Sequence, residues 1–183
     1  MPRDLGILTK NNCILLVVDV QEKFRKVIFN FDSTISNITK LIKAFQILKI
    51  PIIATEQYPK GLGKTITELN DLIKNKIEKV EFSCFDNNNF KKIFKKLKRK
   101  NIIVAGIESH VCVLRTILDG VKNNYTMHLV ADAVSSRKPL DKKIAVERAK
   151  QSSAFLTTTE AVIFQLISSS KEKEFKEISR IIK

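Results

Sequence analysis

The stretch Cys13-Ile-Leu-Leu-Val-Val-Asp19 is a short, continuous apolar run rich in branched residues. Such a run is a strand buried on both faces, as in a parallel sheet covered by helices. The rest of the chain repeats the theme, because short apolar runs alternate with amphipathic stretches throughout. That alternation predicts one architecture, an open, mostly parallel sheet with helices on both sides.

Ser33 and Thr34 open a helical stripe of Ile35, Ile38, Ile42 and Phe45. Pro51 introduces a second strand over 52–55. Pro59, Gly61 and Gly63 mark 56–63 as a loop. Thr65-Ile-Thr-Glu68 has the form of a capping box, followed by a short helix to about Lys74. A third strand is expected over 77–82. Asn87, Asn88 and Asn89 offer caps to a helix with Phe90, Ile93, Phe94 and Leu97 on one face. Strands over 101–106, 126–130 and 154–156 alternate with helices over 110–123 and from Pro139 to Gln151, and with one capped by Thr158 or Thr159. A terminal helix within 171–183 carries Phe175, Ile178 and Ile182, and 1–12 form an N-terminal extension. No repeat or low-complexity linker divides the 183 residues, so one three-layer α/β/α domain with six strands is expected.

The charge is unusual, with 33 Lys+Arg against 19 Asp+Glu and a formal net of +14. Such a balance invites nucleic acid or an anionic membrane. Lysine supplies 26 of the 33 basic residues, a bias that also fits a whole-proteome habit. The densest basic run, Lys91 to Lys100, is the wet face of the Phe90–Leu97 helix. The chain has no Trp and two Tyr for stacking on bases, so nucleic acid is an unlikely partner. What remains is steering of an anionic substrate. No apolar run approaches a membrane span, and Met1-Pro2-Arg3-Asp4 does not read as a secretory signal. Three widely spaced cysteines favour a reducing cytoplasm. The two histidines, His110 and His128, lack partners at metal spacing, so neither metal nor cofactor is expected.

In open parallel sheets, sites lie beyond the carboxyl ends of the strands. Asp19 ends the first strand there, either as a functional carboxylate or as a turn cap. Lys79 lies in the third candidate strand and taken alone reads as an exposed lysine. Cys112 falls in the first turn of the helix after Val104-Ala-Gly106. A helix N-terminus favours an anion, so the thiol pKa is expected to fall. The alternative is a buried small hydrophobe.

Taken together, Leu-Val-Val-Asp19-Val-Gln21, Lys79-Val-Glu-Phe-Ser83-Cys-Phe85 and Gly106-Ile-Glu-Ser-His-Val-Cys112-Val resemble the isochorismatase-like cysteine hydrolases. Thr55-Glu-Gln-Tyr-Pro59-Lys-Gly-Leu-Gly63, Asp132-Ala-Val-Ser-Ser-Arg137 and Gln151-Ser-Ser-Ala-Phe155-Leu-Thr-Thr-Thr-Glu160 resemble the branch of isochorismatase domain-containing proteins. The resemblance implies a triad of Asp19, Lys79 and Cys112. Cys112 is then the nucleophile, Asp19 takes its proton and later activates water, and Lys79 keeps Asp19 ionised. It also implies a cis peptide at Ile107–Glu108 and an oxyanion hole from the backbone N–H groups of Glu108 and Cys112. By position, Gln21, Phe24, Glu56 and Tyr58 line a substrate pocket; the alternative is ordinary packing under a loop for Phe24 and Tyr58, and a place on the surface for Glu56.

The nicotinamidase type of metal motif between the second and third strands is missing, since no histidine stands there. With Cys112 present, hydrolysis of an amide-like or related carbonyl bond of a small molecule, through a thioester, is more plausible than vinyl-ether cleavage. The family also implies a homo-oligomer. Two alternatives stay open: a basic RNA-binding or RNA-processing protein, and a scaffold without turnover.

Overall fold

The structure, a computed structural model, describes residues 4–182. Residues 1–3 of the expected extension and signal assessment, and the last residue of the expected terminal helix, lie outside them. The elements in chain order are β1 (Cys13–Val18), α1 (Phe31–Ile47), β2 (Ile52–Gln57), α2 (Pro59–Leu62), α3 (Thr67–Asn70), β3 (Lys76–Lys79), α4 (Asn88–Leu97), β4 (Asn101–Ile107), α5 (Leu114–Lys122), β5 (Thr126–Ser135), α6 (Pro139–Gln151), β6 (Phe155–Thr157), α7 (Thr159–Leu166) and α8 (Phe175–Ile182). A wider π-helical turn, Ser109–Val113, leads into α5.

The six strands form one sheet in the order β3-β2-β1-β4-β5-β6, every neighbouring pair parallel. Alternation along β1 sorts its side chains to two cores. Leu15 and Val17 face α1, α7 and α8, while Ile14, Leu16 and Val18 face α4, α5 and α6. Both faces are therefore covered, as the continuous apolar run requires. The strand order reverses direction between β1 and β4, which opens a crevice at their carboxyl ends.

Local chemistry moves several boundaries. Helix α1 starts at Phe31, two residues before Ser33, behind Asn30 in a left-handed conformation. The capping box does not form: no side chain caps α3, and the Thr65 hydroxyl instead donates to Glu56 Oε1 at 2.6 Å. Strand β2 runs on through Glu56 and Gln57, and the expected loop closes into the short helix α2. Strand β3 ends at Lys79, leaving Val80 and Phe82 well exposed rather than in the sheet. Strand β5 continues to Ser135 past an irregularity, where pairing jumps from Val104–Leu129 to Gly106–Val134. Asn87 and Thr158 cap α4 and α7 as expected, accepting from the backbone N–H groups of Phe90 and Ala161.

Gly106 closes the crevice between β1 and β4. Its φ is +122°, and a Cβ there would stand 2.1 Å from Val18 O. The neighbour is backbone in the middle of the sheet and cannot step aside. Gly106→Ala is expected to cost roughly 3–5 kcal/mol, combining backbone strain with overpacking. Urea unfolding measures it; a loss below about 1 kcal/mol contradicts this packing account.

Candidate active site

The carboxyl ends of β1, β2 and β3 bring three polar side chains together inside the protein. Asp19 follows β1 with φ +52°, a left-handed turn that Asp tolerates better than most residues. Lys79 ends β3, and its side chain is completely enclosed. Its ammonium donates to Asp19 Oδ2 at 2.7 Å, to Gln57 Oε1 at 2.6 Å and to the Glu81 carbonyl at 3.1 Å. All three ammonium protons thus have acceptors, so Lys79 does not snorkel outward. Asp19 also accepts from the Thr55 hydroxyl, at 2.7 Å on Oδ1.

Cys112 reaches the same cluster from the turn before α5. Its sulfur lies 3.9 Å from Gln57 Oε1, and 6% of the residue is exposed. Asp19 and Lys79 lie close enough to act on its ionisation. Contrary to the expected drop, its pKa is pushed up. Burial is the first cause and the Asp19 carboxylate the second, with Lys79 opposing. At rest the nucleophile candidate is therefore a thiol beside an ion pair, not a free thiolate. Burial is the first cause for Lys79 too and pulls its pKa down. The Asp19 carboxylate overcomes it, and the net shift is upward.

Three residues of this cluster carry no signal of their own in the sequence. Thr55 and Gln57 stand in an expected strand end and loop. Cys84 is buried 4.0 Å from Thr55 Oγ1, its pKa pushed up to about 11 by burial. Only the pairing of β2 between β1 and β3 reveals them.

The expected pocket residues are placed differently from one another. Gln21 is fully buried; its Oε1 accepts from Gln57 N–H at 2.8 Å, and its Nε2 donates to the carbonyls of Gln57 and Gly63. Glu56 Oε1 is occupied by Thr65, through its N–H and its hydroxyl. Phe24 packs half-buried on the α1-side core. Tyr58 alone stands out into solvent, beside a cavity of about 340 Å³ that it lines with Lys60, Lys79, Val80, Glu81 and Asn87. A wider groove of about 860 Å³ runs along α1 and α8 and touches none of Asp19, Lys79 and Cys112.

The Ile107–Glu108 peptide bond is cis. The Glu108 carboxylate is held aside by Arg137, which donates to its Oε2 from N at 3.1 Å and from Nε at 3.0 Å. The histidines lie apart from the cluster's hydrogen bonds. His110 Nδ1 pairs with Ser136 Oγ at 3.0 Å. His128 is buried against Asn101, and burial holds its pKa down at about 4.

The basic run does not sit over this site. Lys98, Arg99 and Lys100 join the end of α4 to the start of β4, where Arg99 donates to Lys10 O and Lys100 N–H to Asn12 O. That is the amino end of the sheet. Lys95, Lys96, Lys122, Arg148 and Lys150 likewise occupy last helical turns, where cations meet the negative ends of helix dipoles. The steering expectation loses its seat there, and Lys79 is already neutralised by Asp19.

The family model described as Isochorismatase domain matches residues 13–161. Isochorismatase family protein 1A of Dictyostelium discoideum is 44% identical over 96% of this chain and 88% of its own length. Isochorismatase domain-containing protein 2 of Danio rerio is 40% identical over 97% and 90%. Among solved structures, one titled MAR1 ribonuclease from Caenorhabditis elegans superposes with a TM-score of 0.91 at 40% identity, covering 96% of this chain and 91% of its own. The YcaC product of Escherichia coli, titled an octameric hydrolase of unknown specificity, reaches 0.91 at 23% identity, covering 100% and 91%, which is likeness of fold.

Proposed function

This chain belongs to the isochorismatase family, and on that premise we propose that it is a cysteine hydrolase of amide-like or related carbonyl bonds in small molecules. The observation that carries the reading is the buried Asp19–Lys79 ion pair beside the Cys112 thiol. A charged pair of this kind is costly to bury unless it has work to do or many partners. Here it stands at the strand ends, next to a cysteine in the helical turn that leads into α5.

The resting protonation state orders the steps. Asp19, paired with the Lys79 ammonium at 2.7 Å, takes the thiol proton as the sulfur attacks the substrate carbonyl. The oxyanion falls to the backbone N–H groups of Glu108 and Cys112, at the start of the helical segment where such groups lack helical acceptors. Asp19 then returns the proton to the leaving nitrogen as the C–N bond breaks, which leaves a thioester on Cys112. Water attacks the thioester with Asp19 as base, and the thiol and a carboxylic acid are released.

We assign the whole chain to one such domain, self-associated like the octameric YcaC product of E. coli that shares its fold, in a reducing cytoplasm. Three free cysteines support that setting. Among the described residues, no helix is long and apolar enough to cross a membrane. A ribonuclease built on paired histidines is not favoured for this chain, because His110 pairs with Ser136 and His128 with Asn101, away from each other.

The test is alkylation with iodoacetamide, read by peptide mass spectrometry alongside turnover of an amide, ureido and ester panel. Cys112 is the only one of the three cysteines with any exposure, 6% against none for Cys13 and Cys84, so it is expected to label first by access, and turnover to fall in step with that labelling. Turnover that persists when Cys112 is fully alkylated overturns the reading.

A further inference from the structure

The amide of Gln57 is the least free side chain of the site. Its Nε2 donates to Val80 O at 2.8 Å, which decides the orientation of the amide. Its Oε1 must then face inward, toward Lys79 Nζ at 2.6 Å and Cys112 Sγ at 3.9 Å. The backbone beneath it is gripped on both sides by Gln21, at 2.8 Å and 3.0 Å. A buried glutamine serves Gln57 from the neighbouring loop, and Gln57 in turn serves the ammonium and the thiol.

We propose that Gln57 is a positioning residue that keeps the Cys112 nucleophile protonated at rest, by holding one ammonium proton of Lys79 away from the sulfur and offering the thiol an acceptor. This deepens the hydrolase reading and rests on it. With Asp19, Gln57 and the Glu81 carbonyl as acceptors, no Lys79 proton is left for the sulfur. A hydrogen bond to the neutral form of a group disfavours its ionisation. The thiolate gains an ammonium proton when Lys79 gives up one of these acceptors, and Gln57 Oε1 is the one of the three that also lies within reach of the sulfur. The titratable groups facing the thiol are Asp19 from the end of β1, Lys79 from β3 and Cys84 from the turn before α4. Gln57 adds a fixed dipole between them that does not itself titrate.

Two variants of the full chain separate this role from support of the fold. Gln57→Met keeps the length and removes the acceptor. One ammonium proton is freed for the sulfur, so iodoacetamide alkylation of Cys112 should speed up roughly tenfold at pH 7 and its pH midpoint should fall, since the thiolate is the reacting form. Gln57→Glu is isosteric and keeps an oxygen on Lys79, but puts negative charge beside the sulfur. Its midpoint should rise, and alkylation at pH 7 should slow by a similar roughly tenfold factor. If Gln57→Met does not fold, Gln57→Leu, which also removes the acceptor, takes its place with the same expected fall in the midpoint. Loss of structural support would move both variants the same way, by opening the site. Midpoints that stay at the wild-type value, or move together, overturn the role of Gln57. A wild-type protein whose Cys112 resists alkylation at every pH overturns the hydrolase reading instead, so the two failures are told apart.

Discussion

Cys112→Ala is expected to reduce hydrolysis across the amide, ureido and ester panel by about three orders of magnitude or more, because removing a covalent nucleophile removes the pathway rather than one contact. The fold should survive the change. The sulfur's contact to Gln57 is long, 3.9 Å, and the helical turn carrying Cys112 is fixed by Val113, which is fully buried. Circular dichroism and thermal unfolding near wild type, with turnover lost, is the expected pair of results. Turnover retained within about tenfold contradicts covalent catalysis.

Asp19→Asn tests the ion pair, and its expected effect falls on activity and stability together. Loss of the base should lower turnover by about 10²–10⁴-fold. The amide leaves the Lys79 ammonium enclosed with no counter-charge, and breaking a buried pair from one side costs roughly 3–5 kcal/mol. The pH dependence gives the effect a signature. In the wild type the Lys79 pKa is raised above its ordinary 10.5. Its stabilising contribution is present below 10.5 and is lost as pH rises through the raised value. In Asp19→Asn the desolvation that already opposes the charge is no longer offset by the carboxylate, so the lysine pKa falls below 10.5. The unfolded state then binds more protons, and stability grows as pH rises through the depressed value. Urea midpoints at neutral and alkaline pH should therefore rise in the variant, while the wild type declines toward strong alkali. Parallel pH profiles for the two proteins contradict the pairing.

The sheet was legible because its strands are continuous apolar runs, and each face of β1 needs a helical layer to cover it. Cys13 to Val18 is the clearest case, with every residue buried. Boundaries were less legible where a side chain has a better partner than its local neighbour. Thr65 follows the capping pattern, yet its hydroxyl goes to Glu56, which comes near only after β2 is in the sheet. Strand β3 stops at Lys79 because its one neighbour, β2, ends at Gln57, the residue paired with Lys79, so Val80 and Phe82 have no strand beside them. Asp19, Lys79 and Cys112 could be singled out from their motifs. Their electrostatics could not: the helix start favours a thiolate, but a carboxylate and deep burial outweigh it. Gln57 lies in a stretch rich in Pro and Gly, and its inward turn depends on Val80 and Gln21, each more than twenty residues away in sequence.

The covalent step is tested most directly by acid-quenching the enzyme during turnover and mapping the trapped protein by peptide mass spectrometry. The account predicts an acyl group on the peptide containing Cys112, formed and lost at rates that support turnover, and released by hydroxylamine as a thioester should be. Sustained turnover with that peptide unmodified at every quench time, or with the acyl group on another residue, would contradict it.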